Sequence, residues 1–321
     1  MNARRGRGAE IALLFGQGIR TPGVRLQATD ALVITTVLLF AALAAAFHAR
    51  VPSAGTLLAR TIGSGAVYLG LTAIHQRLDN RHLRFLLRTA TVQLAYAQLF
   101  LLVLPLQLTV VHTWQDPVVL ELQHAVFGVQ PVVWLQRFIS PALTEWLMFS
   151  YVAYLIVYPV LGAIIFYGHG ERAMEDYLFT VGLANVVCDL GFLVFPVASP
   201  YYYQPVRELL TVPLKGGFFT LCGEYIRTHI HRIGGSLPSP HCAVATAMWL
   251  MAWRYSRPAF FVLGPVIVSL YVSTFFLRYH YVSDSVVGIV AGIVAVLAVP
   301  AAMRIWNRGA ARMGAVLTCR S

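Results

Sequence analysis

The sequence predicts an all-α fold, a polytopic bundle of about eight transmembrane helices. Of its 321 residues, 58% are hydrophobic and only 12% are charged, about half the charged fraction of a typical soluble domain. The apolar residues form runs of about 20, the length that a helix needs to cross a bilayer. A single water-soluble core is therefore excluded.

The apolar runs define the predicted spans, taken in chain order. They cover residues 30–48, 57–75, 89–111, 143–167, 177–198, 240–255, 258–278 and 283–303. The sixth is the shortest, so length supports it least. No repeat or flexible linker interrupts the series. The predicted organisation is a cytoplasmic segment 1–29, an accessory helix pair 30–88, a main membrane domain 89–303 and a cytoplasmic tail 304–321.

The basic residues predict the orientation of the spans. The net charge is +11, with 24 Lys and Arg against 13 Asp and Glu. If the N-terminus is cytoplasmic, sixteen Lys and Arg fall on the inner side and eight on the outer side. This bias follows the positive-inside rule and predicts that both termini are cytoplasmic. It also explains the positive charge without nucleic acid, which we do not expect as a partner.

Two further features concern the loops and the cysteines. The loop 112–142 carries Trp114, Phe127 and Trp134 among apolar residues. An amphipathic helix in the membrane interface and an ordinary folded loop both fit it. Cys188 and Cys242 fall inside apolar segments and are expected to be small buried hydrophobes, without metal or disulfide spacing.

The first chemical motif is Pro238-Ser239-Pro240-His241 at the start of the sixth span. Ser239 suits a helix N-cap, and Pro240 suits the first helical turn. His241 would then lie in the first turn, where free backbone N–H groups and the helix dipole favour a bound anion.

The second motif is His280 and Asp284, four residues apart and on one face if the segment is helical. An aspartate in that position can hold an imidazole in one tautomer and stabilise its cation. His241 and His280 are 39 residues apart, about 60 Å of helix and therefore two crossings of the membrane core. Both histidines should reach the same membrane face, which the predicted topology makes the outer face.

These motifs resemble the type 2 phosphatidic acid phosphatase superfamily, which has a PSGH-type motif, a helical hairpin and then a motif ending in HxxxD. Within it the sequence looks most like the inositol phosphotransferase branch, which includes inositolphosphorylceramide synthase. The resemblance covers roughly residues 115–300. It rests on Ser236–His241, on Leu277–Asp284 and, in support, on the proline-containing run Phe195–Pro200.

The resemblance implies a six-helix phosphatase-like core and a phosphohistidine mechanism without cofactor or metal. By that likeness, His280 is the nucleophile, Asp284 orients and charge-balances it, and His241 protonates the leaving oxygen. The implied partners are a phospholipid or lipid phosphate and a water, alcohol or lipid acceptor. Water as acceptor would make the protein a phosphatase and an alcohol would make it a transferase, and the sequence leaves both open.

The phosphate-binding groups depart from the family pattern. Ser273 and Thr274 stand where the wider family has a Ser-Arg pair, and Arg278 is a substitute for the missing arginine. We expect the phosphate to be bound by basic and polar residues near the motifs, namely Arg278, Ser239, Lys215, Arg227 and Arg232. For the loop residues among them, a solvated or headgroup-facing role is the open alternative.

Other polar residues are secondary candidates. Asp189 lies within the fifth span, where a carboxylate is costly, so we expect substrate contact or a hydrogen bond to a neighbouring helix. Tyr201 fits an interfacial aromatic belt or the wall of the substrate pocket. We expect His229 and His231, in the predicted outer loop 199–239, to face solvent, with headgroup contact as the lesser alternative.

Two classes compete with the enzyme hypothesis, a membrane transporter and a catalytically inactive scaffold. Asp189 favours a transporter weakly, but no interrupted helices recur in matching halves. Both histidines and Asp284 are present, which argues against an inactive scaffold. The single lysine, Lys215, is typical of a GC-rich bacterial genome, which predicts a bacterial cytoplasmic membrane with the site on the extracytoplasmic side.

Overall fold

The computed structural model describes residues 19–21, 24–229 and 231–318, with side chains for 24–229 and 231–310. Two short strands, β1 (Ile19–Thr21) and β2 (Val24–Leu26), pair antiparallel with Ile19 opposite Leu26. Most of the predicted cytoplasmic segment 1–29 lies outside the described residues, as do residues 319–321 of the predicted tail.

Helices form nearly all of the remaining regular structure in the described ranges, which confirms the all-α prediction. In chain order they are α1 (Ala28–Ala46), α2 (Ala54–Gln76), α3 (Arg81–Val103), α4 (Asp116–Phe127), α5 (Pro131–Trp134), α6 (Pro141–His169), α7 (Glu171–Val194), α8 (Gln204–Arg207), α9 (Phe218–His229), α10 (Pro240–Tyr255), α11 (Arg257–Phe276) and α12 (Val282–Thr318). Short 3-10 turns follow α3 at Leu104–Leu106 and α5 at Leu135–Phe138.

Seven helices are long and apolar enough to cross a membrane: α1, α2, α3, α6, α7, α11 and the first 29 residues of α12. Each overlaps a predicted span, although the third begins at Arg81 and not at residue 89, so the chain is a multi-pass integral membrane protein. The helix α10 has the bounds predicted for the sixth span but only 16 residues. At about 24 Å it is shorter than the hydrocarbon core.

The loop 112–142 contains a helix, as one of the two alternatives for it required. In α4, Val118, Leu122 and Val126 share an exposed face, and Val119 and Gln123 are buried on the other. The segment Pro131–Phe138 follows at an angle of 66°, and the bent pair together is long and apolar enough to count as a further membrane-associated element. This two-faced helix suits a position at the edge of the membrane.

The helices α10 and α12 pack unusually closely because small residues face each other across them. A side chain at Gly288 would approach the Ser239 carbonyl oxygen to 2.5 Å, and one at Gly292 would approach the Ala243 carbonyl oxygen to 2.4 Å. Such contacts between backbones are typical of helix pairs in membranes. They bring the first turn of α10 beside the first turn of α12.

A buried ion cluster holds the first two helices to the rest of the bundle. Arg88 of α3 donates to Asp30 of α1 at 2.6 Å and to both oxygens of Glu175 of α7 at 2.7 and 2.9 Å. Tyr68 of α2 donates to Asp30 at 2.6 Å, and Thr29 donates to Glu175 at 3.0 Å. The predicted accessory pair is therefore joined to the main bundle by charge as well as by apolar packing.

Candidate active site

The helix α7 separates this ion cluster from the two histidine motifs. Glu175 lies at its beginning, whereas a side chain at Gly191, near its end, would meet Pro238 at 2.3 Å. The sixteen residues between them span about 24 Å. The motifs thus occupy the opposite end of the bundle, where α10 begins, α11 ends and α12 begins.

His280 lies in the tight turn between α11 and α12. The backbone N–H groups of Tyr279 and His280 both donate to the Thr274 carbonyl at 3.0 Å. The Thr274 hydroxyl pairs with the Ser285 hydroxyl at 2.6 Å, which ties the turn to the start of α12. Arg278 takes a φ of 71°, a conformation that costs a non-glycine residue about 1–2 kcal/mol. Thr274, the residue at the position of the Ser-Arg arginine discussed above, therefore holds this turn through its carbonyl and its hydroxyl.

The tautomer of His280 is set by a backbone carbonyl. Its Nδ1 lies 3.0 Å from the Ser236 carbonyl oxygen, which can only accept a hydrogen bond. Nδ1 therefore carries the proton, and Nε2 keeps its lone pair. His280 is 3% exposed, so the ring is held firmly at the base of the site.

The Asp284 carboxylate lies near the His280 ring but is beyond direct hydrogen-bond distance from it. Its Oδ2 accepts the Ser236 hydroxyl at 2.6 Å and the Tyr281 backbone N–H at 2.9 Å, and lies 3.7 Å from His280 Nδ1. The two residues would share a face only in a helical segment, and that condition is not met, because α12 begins at Val282 and His280 precedes it. Ser236, which the sequence analysis quoted only as part of a motif, contacts both residues.

His241 occupies the first turn of α10, as predicted. The Ser239 side chain caps this helix by accepting from the Cys242 N–H at 3.4 Å, and the Ser239 N–H donates to the Asp284 carbonyl at 2.9 Å. The His241 and His280 ring centroids are 5.6 Å apart. The His241 ring stacks on Tyr151 of α6 at 4.5 Å, and its buried Nδ1 has no hydrogen-bond partner among the described residues.

Asp116 links the loop before α4 to the histidine turn, a role that the sequence analysis missed. Its carboxylate accepts the backbone N–H groups of Ala198 and Ser199 at 2.8 and 3.2 Å and the Tyr281 hydroxyl at 2.9 Å. The run Phe195–Pro200 is thereby fixed beside the residue that follows His280. Asp116 is 82 residues from Ala198 and 165 from Tyr281 in the sequence, so no local pattern predicts this contact.

Glu145 of α6 positions the helix α9 and the arginine that it carries. Its carboxylate accepts the N–H groups of Gly217, Phe219 and Thr220 at 2.7, 2.6 and 3.0 Å. A carboxylate at a helix N-terminus satisfies free donors and complements the dipole. This contact fixes the end of α9 that precedes Arg227.

The predicted phosphate-binding residues divide into two groups. Arg227 pairs with Glu224 and lies over the Tyr201 ring at 4.4 Å, and Arg278 donates to the Val212 carbonyl. The Nε atoms of Arg227 and Arg278 are buried without a partner among the described residues. Burial and the charge of Arg227 lower the pKa of Arg278 to about 10, so it stays cationic at neutral pH.

The other candidates lie farther from the two histidines. Arg232 donates to the backbone carbonyls of His229 and His231 at 3.2 Å, and Lys215 is exposed. Asp189 is fully buried in α7, where it accepts from the Asn185 amide at 3.2 Å. Its Oδ1 has no partner, and in the described part of the chain no hydrogen bond joins it to either histidine.

His231 is half-buried, which corrects the expectation that it faces solvent. Its ring stacks on Tyr202 at 5.4 Å and meets the Tyr279 ring edge-on at 5.4 Å. Burial, then the charge of His280, lowers the pKa of His231 to about 4. His229, two residues earlier, is exposed as expected. Only the tertiary path of the loop distinguishes the two histidines.

Comparison with known families is consistent with this geometry. Within the described residues, no group of three or more His, Cys, Asp or Glu side chains is arranged to hold a metal ion. A family model described as the PAP2 superfamily matches residues 117–298, more than half of the chain and the part that contains both histidine motifs. Neither a curated protein nor a solved structure matches the chain.

Proposed function

The chain belongs to the PAP2 superfamily, the type 2 phosphatidic acid phosphatases, and we propose that it removes or transfers a lipid phosphate group through a phosphohistidine. Membership indicates phosphatase-type chemistry on lipid phosphates. Our assignment of the chemistry to His280, His241 and Asp284 rests on one observation above all. The Ser236 carbonyl holds the proton on His280 Nδ1, which leaves Nε2 unprotonated at the end that can attack.

In the proposed first step, His280 Nε2 attacks phosphorus and the bond from phosphorus to the lipid oxygen breaks. His241, 5.6 Å away between ring centroids, gives its proton to that oxygen. The imidazolium that forms on His280 is stabilised by the Asp284 carboxylate at 3.7 Å and by the Ser236 carbonyl. In the second step an acceptor hydroxyl takes the phosphoryl group, and the electron pair returns to Nε2.

The phosphate oxygens need cationic donors in this mechanism, because phosphoryl transfer depends on positioning and charge stabilisation. Arg227 and Arg278 support that role, since each retains a buried Nε–H without a partner among the described residues. Unused buried donors are uncommon in folded proteins and suggest a ligand. Ser239, Arg232 and the exposed Lys215 are further candidates for the same role.

The finer assignment is to the inositol phosphotransferase branch, in which the acceptor is an alcohol rather than water. It is supported by the runs Ser236–His241, Leu277–Asp284 and Phe195–Pro200. Asp116 accepts from both Ala198 and Tyr281, which holds the run Phe195–Pro200 beside the histidine turn. Tyr201, under the Arg227 guanidinium, suits the wall of a headgroup pocket. Asp189 remains a candidate for contact with the buried part of the lipid.

We place the chemistry on the extracytoplasmic side of a bacterial cytoplasmic membrane. The support is the excess of arginine in loops at the end of the bundle opposite to the histidines, together with the positive-inside rule. Cysteine labelling from outside intact cells tests this assignment. A cysteine introduced at exposed Lys215 should react with an impermeant maleimide, and one at Arg172 should not.

The function itself is tested with purified protein in detergent. Radiolabelled lipid phosphates and phosphatidylinositol are supplied with and without ceramide or diacylglycerol, and free phosphate and new phospholipids are measured. His280→Ala is the inactive variant and His229→Ala, at an exposed histidine, is the matched control. Phosphate release that His280→Ala abolishes indicates a phosphatase.

A new labelled lipid that forms only with an acceptor indicates a transferase. If no product exceeds the level of His280→Ala with any of these substrates, the enzyme proposal loses its support. A membrane scaffold or a transporter that uses the buried Asp189 would then be the better description.

A further inference from the structure

His231 is the one residue of the histidine cluster that the mechanism above does not use. It lies in the outer loop (residues 199–239), next to Tyr279. Tyr279 stacks on Tyr151 at 4.4 Å and presents its ring to His231 at 5.4 Å. The loop is closed over it by the Tyr202 hydroxyl, which donates to the His231 carbonyl at 3.1 Å.

The His231 ring is held by packing, and its nitrogens are left unused. Stacking on Tyr202 at an interplanar angle of 11° fixes the ring plane. Nδ1 is buried without a hydrogen-bond partner among the described residues, and neither ring nitrogen donates or accepts within them. A buried ring nitrogen with a fixed orientation but no partner is costly unless a ligand supplies one.

Burial, together with the neighbouring positive charges, lowers the pKa of His231 and keeps its ring neutral. The titratable and charged groups near it are Tyr202, Tyr279, Arg227, Arg232, His280 and His241. With its pKa near 4, the ring is unprotonated at neutral pH and can accept a proton. A phosphoryl group on His280 would add negative charge nearby and raise that pKa toward neutrality, the range in which a general base is most effective.

The two accessory histidines have different surroundings. His241 lies against Tyr151 and Tyr154, both within the membrane-spanning helix α6, so a lipid leaving group fits on its side. His231 belongs to the outer loop, so a hydroxyl from the aqueous phase fits on its side. This division separates the leaving group from the acceptor.

We propose that His231, framed by Tyr202 and Tyr279, is the acceptor site, where it acts as the general base for water or a water-soluble alcohol. The proposal rests on the phosphohistidine mechanism above. The acceptor O–H proton moves to the unprotonated His231 nitrogen while the acceptor oxygen bonds to phosphorus. The bond from phosphorus to His280 Nε2 breaks, and its electron pair returns to that nitrogen. His231 then releases the proton to solvent, and His241 regains one from solvent.

The test separates the two half-reactions by trapping labelled enzyme. Purified wild type, His231→Gln, His280→Ala and the matched control His229→Gln are mixed with a phosphorus-32-labelled lipid phosphate and quenched over time. We expect His231→Gln to form labelled enzyme at about the wild-type rate and to release phosphate 10²–10⁴-fold more slowly, the usual contribution of a general base. His229→Gln should behave as wild type because its ring is exposed.

A pH series distinguishes base catalysis from a structural role. In His231→Gln, breakdown of labelled enzyme should rise about tenfold per pH unit as hydroxide replaces the missing base, while wild type levels off. Adding glycerol, a water-soluble alcohol, or ceramide in the membrane identifies the side from which the acceptor enters.

Three outcomes overturn the inference. If His231→Gln releases phosphate at the wild-type rate, His231 is not the general base. If that variant forms no labelled enzyme, His231 acts in an earlier step. Transfer to ceramide, but neither to water nor to glycerol, refutes the aqueous acceptor. Label or turnover that persists in His280→Ala would instead refute the phosphohistidine mechanism itself.

Discussion

The Arg88 cluster and the histidine cluster, at opposite ends of the helix bundle, hold their polar groups in different ways. In the first cluster all three guanidinium nitrogens of Arg88 donate hydrogen bonds to Asp30 and Glu175. Tyr68 and Thr29 donate further hydrogen bonds to the same two carboxylates. At the other end several buried atoms have no partner among the described residues, namely Nδ1 of His231, Nδ1 of His241 and Nε of Arg227 and of Arg278.

The difference lies in what orients the polar groups. In the Arg88 cluster, hydrogen bonds orient the side chains and consume their donors and acceptors, so the cluster can only hold helices together. At the histidine end, aromatic stacking orients His241 on Tyr151 and His231 on Tyr202. Stacking leaves the ring nitrogens available to a ligand, which is the condition for chemistry.

The largest expected effect separates the two ends by their function. His280→Asn removes the attacking nitrogen, so we expect turnover to fall by at least about 10⁴-fold, as for the loss of a catalytic nucleophile. The unfolding temperature in detergent should change little, because the Thr274 contacts that hold the turn are backbone bonds. A large loss of thermal stability with residual turnover would contradict the contrast.

The complementary change is Arg88→Met, which leaves Asp30 and Glu175 buried without their cation. We expect a loss of about 3–5 kcal/mol in the free energy of unfolding, with turnover per folded molecule unchanged. The control is Arg84→Met, one turn earlier in α3, whose pair with Glu171 is partly exposed and should contribute about 0–1 kcal/mol. Equal losses of unfolding free energy in the two variants would show that the buried Arg88 cluster stabilises the fold no more than a partly exposed ion pair does.

The pH dependence of stability sharpens the contrast at the histidine end. His231 has a pKa of about 4 when folded and about 6.5 when unfolded, so between these values the unfolded chain binds the extra proton. Its neutral ring therefore contributes stability above pH 6.5 that is lost as the pH falls toward 4, by at most about 3 kcal/mol. Thermal unfolding of His231→Gln should lack this slope, and His229→Gln should retain it.

The smallest expected effect concerns Ser236, which contacts His280 and Asp284 with different atoms. Ser236→Ala removes the hydroxyl that donates to Asp284 at 2.6 Å but keeps the carbonyl that fixes the His280 tautomer. We expect turnover to fall about 10–100-fold, as for other supporting residues, with formation of labelled enzyme affected more than its breakdown. A loss as large as that of His280→Asn would mean that Asp284, and not the carbonyl, sets the tautomer.

Much of the architecture could be predicted because it depends on local properties of the chain. The bounds of α10 agree with the prediction 240–255, and the N-cap role of Ser239 was recognised from its neighbours. Whether His280 and Asp284 share a helical face could not be predicted, because the spacing alone does not say where α12 begins. The catalytic roles of these residues stay a prediction until they are measured.

The sequence by itself determined the spans and the meeting of His241 and His280 at one end, since both follow from the lengths of apolar runs and the rise of a helix. Only the tertiary structure decided that the Ser236 carbonyl fixes His280, that Arg88 joins Asp30 to Glu175, and that His231 is enclosed while His229 is exposed. These contacts join residues far apart in the chain, and their geometry depends on loop paths that no local pattern encodes.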